Sequence, residues 1–390
     1  MAKSRRSLFV FLSLAAALSG GYGSALFGVC GPFTDVAADS FCPFVLEIFT
    51  IGITTGFTPT TYDPSSNVNR LQMAVFLSRT VDRILQRGNR RAALNQFWTP
   101  QNLSAVLEVN LGSATNAGPA LLQSDGADIW VANNLTSSVA RVRGSDGKIL
   151  ETITGTTAAY GVLNSGGQIW ITAKVSGEFG SLYRIPATGG GNQVYGGYTG
   201  DTPVQAAFDG LFVWTANFGG SVSHFDPTNL GAIPLIVKTG FAAPFGILYD
   251  GSNIWVTDIV ARTLLKLDAN AAILQTVTVG LSPRFPVFDG ANIWVPNFNS
   301  NSVSVVRAST GTVLATLTGN GLNGPVAAAF DGERTAVTNF SGDSVSLWKA
   351  ADLTTIGSLA LAPGSQPNGI CSDGLNFWVA LYGTAKLARF

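Results

Sequence analysis

The chain has 390 residues, 23 basic and 23 acidic, with 12% charged side chains, about half the share usual in soluble domains. This low charge, together with 45 glycines, argues against a helical bundle or a disordered chain and suits many short strands joined by tight turns. No dense basic face is visible, so nucleic-acid binding is not expected.

Residues 1–25 read as a secretory signal peptide. Lys3, Arg5 and Arg6 form the positive start, residues 8–18 the apolar core, and Gly23-Ser24-Ala25 the small-residue end. That core is too short to span a membrane, and no later run reaches eighteen apolar residues. The expectation is an exported protein at the bacterial cell surface, cell wall or periplasm, without a transmembrane segment. In an oxidising compartment Cys30 and Cys42 either pair or stay apart, whereas Cys371, inside an apolar strand, reads as a small core residue.

A small helical module follows over residues 31–90. It opens with Phe33-Thr34-Asp35-Val36 and a short helix containing Phe44, Leu46 and Ile48. After a glycine turn and a loop stopped by Pro64, a second helix is predicted from Asn69, a good N-cap. Met73, Leu77, Val81 and Ile84 share one face of that helix and are expected to pack on the first. Arg79, Arg83 and Arg87 run along a flank, as a solvated face or as contacts to an anionic glycan.

Over about 55 residues this segment resembles the S-layer homology (SLH) domain. The resemblance implies non-covalent binding to cell-wall polysaccharide or peptidoglycan. Arg70 stands where that family's Thr-Arg-x-Glu motif has its glycan-contacting arginine, with Asn69 in place of the Thr and Gln72 in place of the Glu. Asn69, Arg70 and Gln72 are therefore the candidate wall-binding residues. Residues 91–104, which contain Pro100, lose periodicity and read as a linker, docked through Phe97 and Trp98.

From residue 105 onward one pattern recurs. An Asp-Gly pair is followed by a Trp five residues after the Asp at Asp125/Trp130, Asp209/Trp214, Asp250/Trp255, Asp289/Trp294 and Asp373/Trp378. Ser165-Gly166 keeps Trp170 without the Asp, and Asp331-Gly332 keeps the turn but has Ala336 in the Trp position. Seven copies spaced 39 to 44 residues apart match the period of a β-propeller blade. In the fifth, 285–289, 293–295, 302–306 and 313–317 read as strands a to d. One indole per blade fills the space between facing sheets, each burying roughly 150–250 Å², an upper estimate of about 4–6 kcal/mol. In the sixth, Trp348 is expected to supply the missing volume. The chain ends on a strand c, and a spare strand d precedes the first repeat at 105–111, so pairing the two closes a seven-bladed ring over 105–390. The repeats resemble YVTN/NHL-type propellers, with Val256-Thr257-Asp258 and Val337-Thr338-Asn339 echoing their signature. That resemblance implies a fold that serves many functions.

Proline stands six residues before most of the Asp-Gly pairs, at Pro119, Pro203, Pro244, Pro283, Pro325 and Pro367, with Ala159 in the second repeat. The next residue varies: Ala120, Tyr160, Val204, Phe245, Arg284, Val326 and Asn368. Tyr160, Phe245, Arg284 and Asn368 form either a small apolar pocket with an anion-seeking head at the channel mouth or ordinary lining variation. Asn133, Asn217, Asp258, Asn297 and Asn339, ending strand b, are expected to bond turn backbone. The single histidine, His224, replaces a strand c aliphatic. Streptogramin B lyases share this fold and work with a His, an acid and a metal, but no Glu stands near His224. No cofactor, metal or nucleophile-elbow motif appears. The predicted protein is mainly β: a seven-bladed propeller preceded by an SLH-like helical module. Its predicted role is non-catalytic, a wall anchor presenting a surface for an unknown protein or small molecule. The alternative is a propeller enzyme of the lyase or lactonase type, acting at the channel mouth.

Overall fold

The computed structural model describes residues 32–36, 41–50, 54, 56–70, 72–74, 76–77, 107–112, 117–173, 179–190, 194–228 and 236–390. They belong to two compact units, 1–98 and 99–390. The signal stretch 1–25, Cys30, the linker 91–104 and Arg79, Arg83 and Arg87 lie outside the described residues.

In the first unit, helix α1 spans Cys42–Thr50. Phe33, Val36 and Val45 are buried together, with Cys42, Phe49 and Tyr62 packed against them. The Phe49 ring meets Phe33 edge-on at 5.1 Å. The Asp35 carboxylate accepts the amides of Tyr62 (2.9 Å) and Asp63 (2.7 Å), which hold its pKa below the usual carboxylate value. Cys42 is disulfide-bonded. The expected pair of packed helices is not what the described residues show. Beyond α1 the described residues 70, 72–74 and 76–77 are helical, and on them Met73 and Leu77 are exposed rather than packed. Val81 and Ile84, the other two residues of the predicted face, lie outside the described residues.

The second unit consists of seven four-stranded antiparallel sheets. Six are built from consecutive strands; the seventh joins Pro367–Ser372, Phe377–Leu381 and Lys386–Arg389 to Leu107–Asn110. Leu107 pairs with Arg389 and Asn110 with Lys386, so the start of this unit supplies the outer strand of the last blade as expected. The ring has no open seam.

The Asp-Gly-Trp pattern has a second cause besides packing. One carboxylate oxygen of each Asp accepts amides of its own turn: Asp289 Oδ1 takes those of Ala291 (2.8 Å) and Asn292 (2.6 Å). The other accepts the indole N–H five residues on, at 2.7–2.8 Å in all five Asp–Trp copies. A buried Trp needs a partner for its one donor, and the turn carboxylate provides it. Each indole then packs on the following blade, as Trp214 does among Ile247, Ile254, Val256 and Leu265. Where strand b ends, the Asn side chains bond strand c serines rather than turn backbone. Asn339 Nδ2 donates to Ser344 (3.1 Å) and Ser346 (2.8 Å), and Asn217 and Asn297 repeat the pattern; backbone amides are accepted by Asp258, from Ala242, Ala243 and Ala261, and by Asn339 Oδ1, from Asn323 (3.4 Å).

Blade six departs from the expectation. Trp348 is buried with Trp294 on the face toward blade five, whereas Ala336 pairs with Leu347 on the opposite face. The space beyond Ala336 is filled by Arg334, two residues earlier on the same face of the strand. Its guanidinium is bonded to Asp331 at 2.6–2.7 Å and lies 5.2 Å over the ring of Phe377 in blade seven. Phe377 stands where Ile129, Ile254 and Ile293 stand in other blades, so a larger residue on one side compensates a smaller one on the other.

Candidate functional site at the channel mouth

Strand a starts at Pro119, Pro203, Pro244, Pro325 and Pro367, positions where a missing N–H costs no ladder bond. Just after this point the register with strand b slips, for example between Pro244 and Ile247 and between Pro367 and Ile370. A bulge of this kind re-aims the side chain that follows the proline. The backbone is then fixed from the preceding blade: Thr257 Oγ1 donates to the Arg284 carbonyl (2.8 Å) and Thr338 Oγ1 to that of Asn368 (2.6 Å). Gly246 permits this approach, because a Cβ there would run into the Arg284 carbonyl.

Blade five is further distorted. Its strand a is reduced to Val287–Phe288 instead of 285–289, because Pro286 removes one donor and Phe285 pairs with blade six. The Phe285 amide donates to Val326 O (3.1 Å), and the Ala328 amide donates to Phe285 O (3.2 Å). The buried Phe285 ring lies 4.9 Å from Phe245 and 6.2 Å from Tyr160, centroid to centroid. It therefore stands between two cavities. The lower one, about 480 Å³, is lined largely by the later halves of the innermost strands. The upper one, about 460 Å³, is lined by Asn134, Ala158, Tyr160, Arg284, Phe298, Phe340, Asn368 and Tyr382.

Three of the four residues singled out at the mouth, Tyr160, Arg284 and Asn368, thus line one cavity. Phe245 is buried beneath it, with the Arg284 guanidinium 5.5 Å over its ring. The same guanidinium sits 4.0 Å over Phe298. Burial pushes the Arg284 pKa down, and the neighbouring Tyr160 opposes the shift; burial raises that of Tyr160, against the pull of Arg284 and a hydrogen bond with Asn368. Arg284 Nε is buried without a hydrogen-bond partner, and among the described residues no carboxylate lies within 4.0 Å of this side chain.

Sequence reasoning missed Asn134, Phe298, Phe340 and Tyr382. All four sit four residues after the Trp position, where strand b turns into strand c, and Phe218 shares that offset. Aromatic residues at a fixed offset outside the strands were the available signal. The wall-binding candidates are in the other unit: Asn69 and Gln72 bond each other's amides (2.8 and 2.9 Å) in a reciprocal N-cap, and Arg70 is exposed beside them. His224 lies on strand c of blade three, between Phe212 (4.7 Å, stacked) and Trp214 (4.6 Å, edge-on), and takes no part in the cavity lining. Cys371 is buried against Leu122 and Trp378, and burial raises its thiol pKa.

No family model and no curated protein matches the chain. Among solved structures it is similar to virginiamycin B lyase from Staphylococcus aureus, with 16% identity, 73% of this chain and 97% of that one covered, and a TM-score of 0.59. It is similar too to hydrazine synthase from Kuenenia stuttgartiensis (15% identity, 72% and 97% covered, TM-score 0.61) and to the WD40 propeller domain of Doa1 (12%, 73% and 96%, 0.58). The likeness is one of fold. Proteins so different on one architecture leave function to be argued from the site.

Proposed function

We propose that this chain is an exported cell-envelope protein whose propeller is a rigid, non-catalytic binding surface centred on the channel mouth, and whose first unit holds it to cell-wall polysaccharide or peptidoglycan. The makeup of the upper cavity carries the binding part. Its lining is four aromatic rings, two asparagines, an alanine and one guanidinium. Acid–base catalysis needs a group that gains and loses a proton near neutral pH. Burial pushes Tyr160 further up from an ordinary value that is already alkaline, no carboxylate or imidazole among the described residues lines the cavity, and the histidine is packed elsewhere, between Phe212 and Trp214. Rings and donors that hold a ligand without transforming it fit this composition.

Support for the anchor is local. The SLH-like resemblance favours the envelope, and the reciprocal cap of Asn69 and Gln72 keeps the helix start beside Arg70 intact despite both replacements. The signal-like start of the sequence agrees with export. Fractionation of cells producing the full chain, with and without residues 31–90, tests the reading. The full chain is expected with the wall fraction and the shortened chain in the soluble one; an identical distribution overturns the anchor. Chelator-sensitive turnover lost on His224→Ala would instead favour the enzyme alternative.

A further inference from the structure

We infer that the upper cavity recognises a carboxylate carried on a flat aromatic or apolar body, an inference that rests on the binding-surface reading above. The guanidinium of Arg284 is held by one face on Phe298, at 4.0 Å, and lies 5.5 Å from the Phe245 ring. A stacked guanidinium has its faces occupied and its N–H donors spread around its edge. These donors have no carboxylate within 4.0 Å among the described residues, and the buried Nε has no acceptor at all. A buried donor without a partner is costly, and a planar carboxylate is the acceptor that fits the arginine fork with two parallel bonds.

The rest of the lining defines the body of the ligand. Phe340 and Tyr382 stand 6.3 Å apart, and with Tyr160 and Phe298 they wall the cavity with rings. Asn134 spends its Nδ2 on the carbonyl of Ala158 (3.1 Å), and Asn368 is engaged with Tyr160, so these polar side chains support the wall. A volume of about 460 Å³ suits a small molecule or the last residue or two of a chain. Phe285, 6.2 Å from the Tyr160 ring, lines the lower cavity and not this one. A free aromatic acid and the carboxyl end of a peptide finishing in an aromatic residue offer the same chemistry.

Calorimetric titration of the full chain with 3-phenylpropionate, with 3-phenylpropanol, and with a tetrapeptide ending in phenylalanine, free or amidated at its carboxyl end, tests the inference. The acid is expected to bind at least about ten-fold more tightly than the alcohol. Arg284→Gln should abolish that preference while its melting curve stays that of the wild type, and Arg284→Lys should restore only part of it. Tyr382→Ala should weaken acid and alcohol alike. A free peptide preferred over its amide, and over the small acid, identifies a chain end as the source; the reverse identifies a small molecule. Equal binding of acid and alcohol, or binding unaltered by Arg284→Gln, overturns the carboxylate and leaves the binding surface standing. Binding of none of the probes overturns the carboxylate too, with the anchor judged separately by fractionation. Chemical conversion of a bound probe sinks the non-catalytic reading itself.

Discussion

Five blades seal against their neighbours with an indole bonded to an aspartate, whereas blade six does so with an arginine bonded to an aspartate. The acceptor is common to both: a carboxylate at the a–b turn that also takes that turn's own amides, as Asp331 takes those of Glu333 (2.9 Å) and Arg334 (2.7 Å). What differs is the cost of the filler. An indole is apolar apart from one N–H, so burial itself stabilises it. A guanidinium must be compensated by charge, and in blade six Asp331 and the face of Phe377 provide this. In these six blades the turn carboxylate is kept while the filler changes; blade two does the reverse, keeping Trp170 with Ser165 in place of the Asp.

The severest way to break the comparison is to remove the element both kinds of junction presuppose. Lys386–Arg389 pairs with Phe377–Leu381 on one side and with Leu107–Asn110 on the other, so its loss opens the ring. Deletion of residues 386–390 is expected to replace the cooperative calorimetric transition by a broad one. A sharp transition at the wild-type temperature would show that the seam is not needed.

Less drastic, and aimed at the contrast itself, are Asp331→Ala and Asp250→Ala. The first strands a buried guanidinium, and breaking a buried pair in this way costs about 3–5 kcal/mol. The second leaves the Trp255 indole N–H and the amides of Ser252 and Asn253 without their acceptor. These are neutral groups, partly in reach of water, so about 1–3 kcal/mol is expected. Urea unfolding of the two variants measures the difference. Equal losses would mean that Arg334 is not buried at a cost, and the distinction drawn between the junctions would fail.

Much of the ring was legible because its causes are periodic. Asp-Gly pairs, indoles and small/apolar alternation recur, and repetition turns weak local signals into a strong one. The post-proline positions were legible for the same reason: variation at Tyr160, Arg284 and Asn368 is visible only against a regular background. What escaped is what breaks the period. Trp348 is a large residue in the blade that lacks its Trp, but strand parity puts it on the wrong face, and Arg334 did not announce itself as a filler. Phe285 read as a strand residue, although Pro283 and Pro286 on either side of it argued against a regular ladder. In the first unit Met73 and Leu77 have helical spacing, yet spacing does not say which surface, if any, is free to receive them.

The smallest effect separates packing from charge within an ordinary junction. In blade three the residue paired with Trp214 is His224, where blade five has Val305. Burial lowers the His224 pKa and Asp209 opposes the shift, so the imidazole is held neutral in the folded state. An unfolded histidine takes its proton near pH 6.5. Below that point the unfolded chain binds more protons than the folded one, so stability falls as pH drops, until the folded pKa is reached. The aspartates of the turns act in another window: Asp125 and Asp373 are held below their ordinary value, and what they contribute is lost only as pH falls below about 4. The wild type is therefore expected to lose about 1–3 °C of melting temperature between pH 7.5 and 5.5, and His224→Leu to lose less. The same slope in both proteins would place the titrating group elsewhere and leave His224 as an aliphatic substitute whose charge never matters.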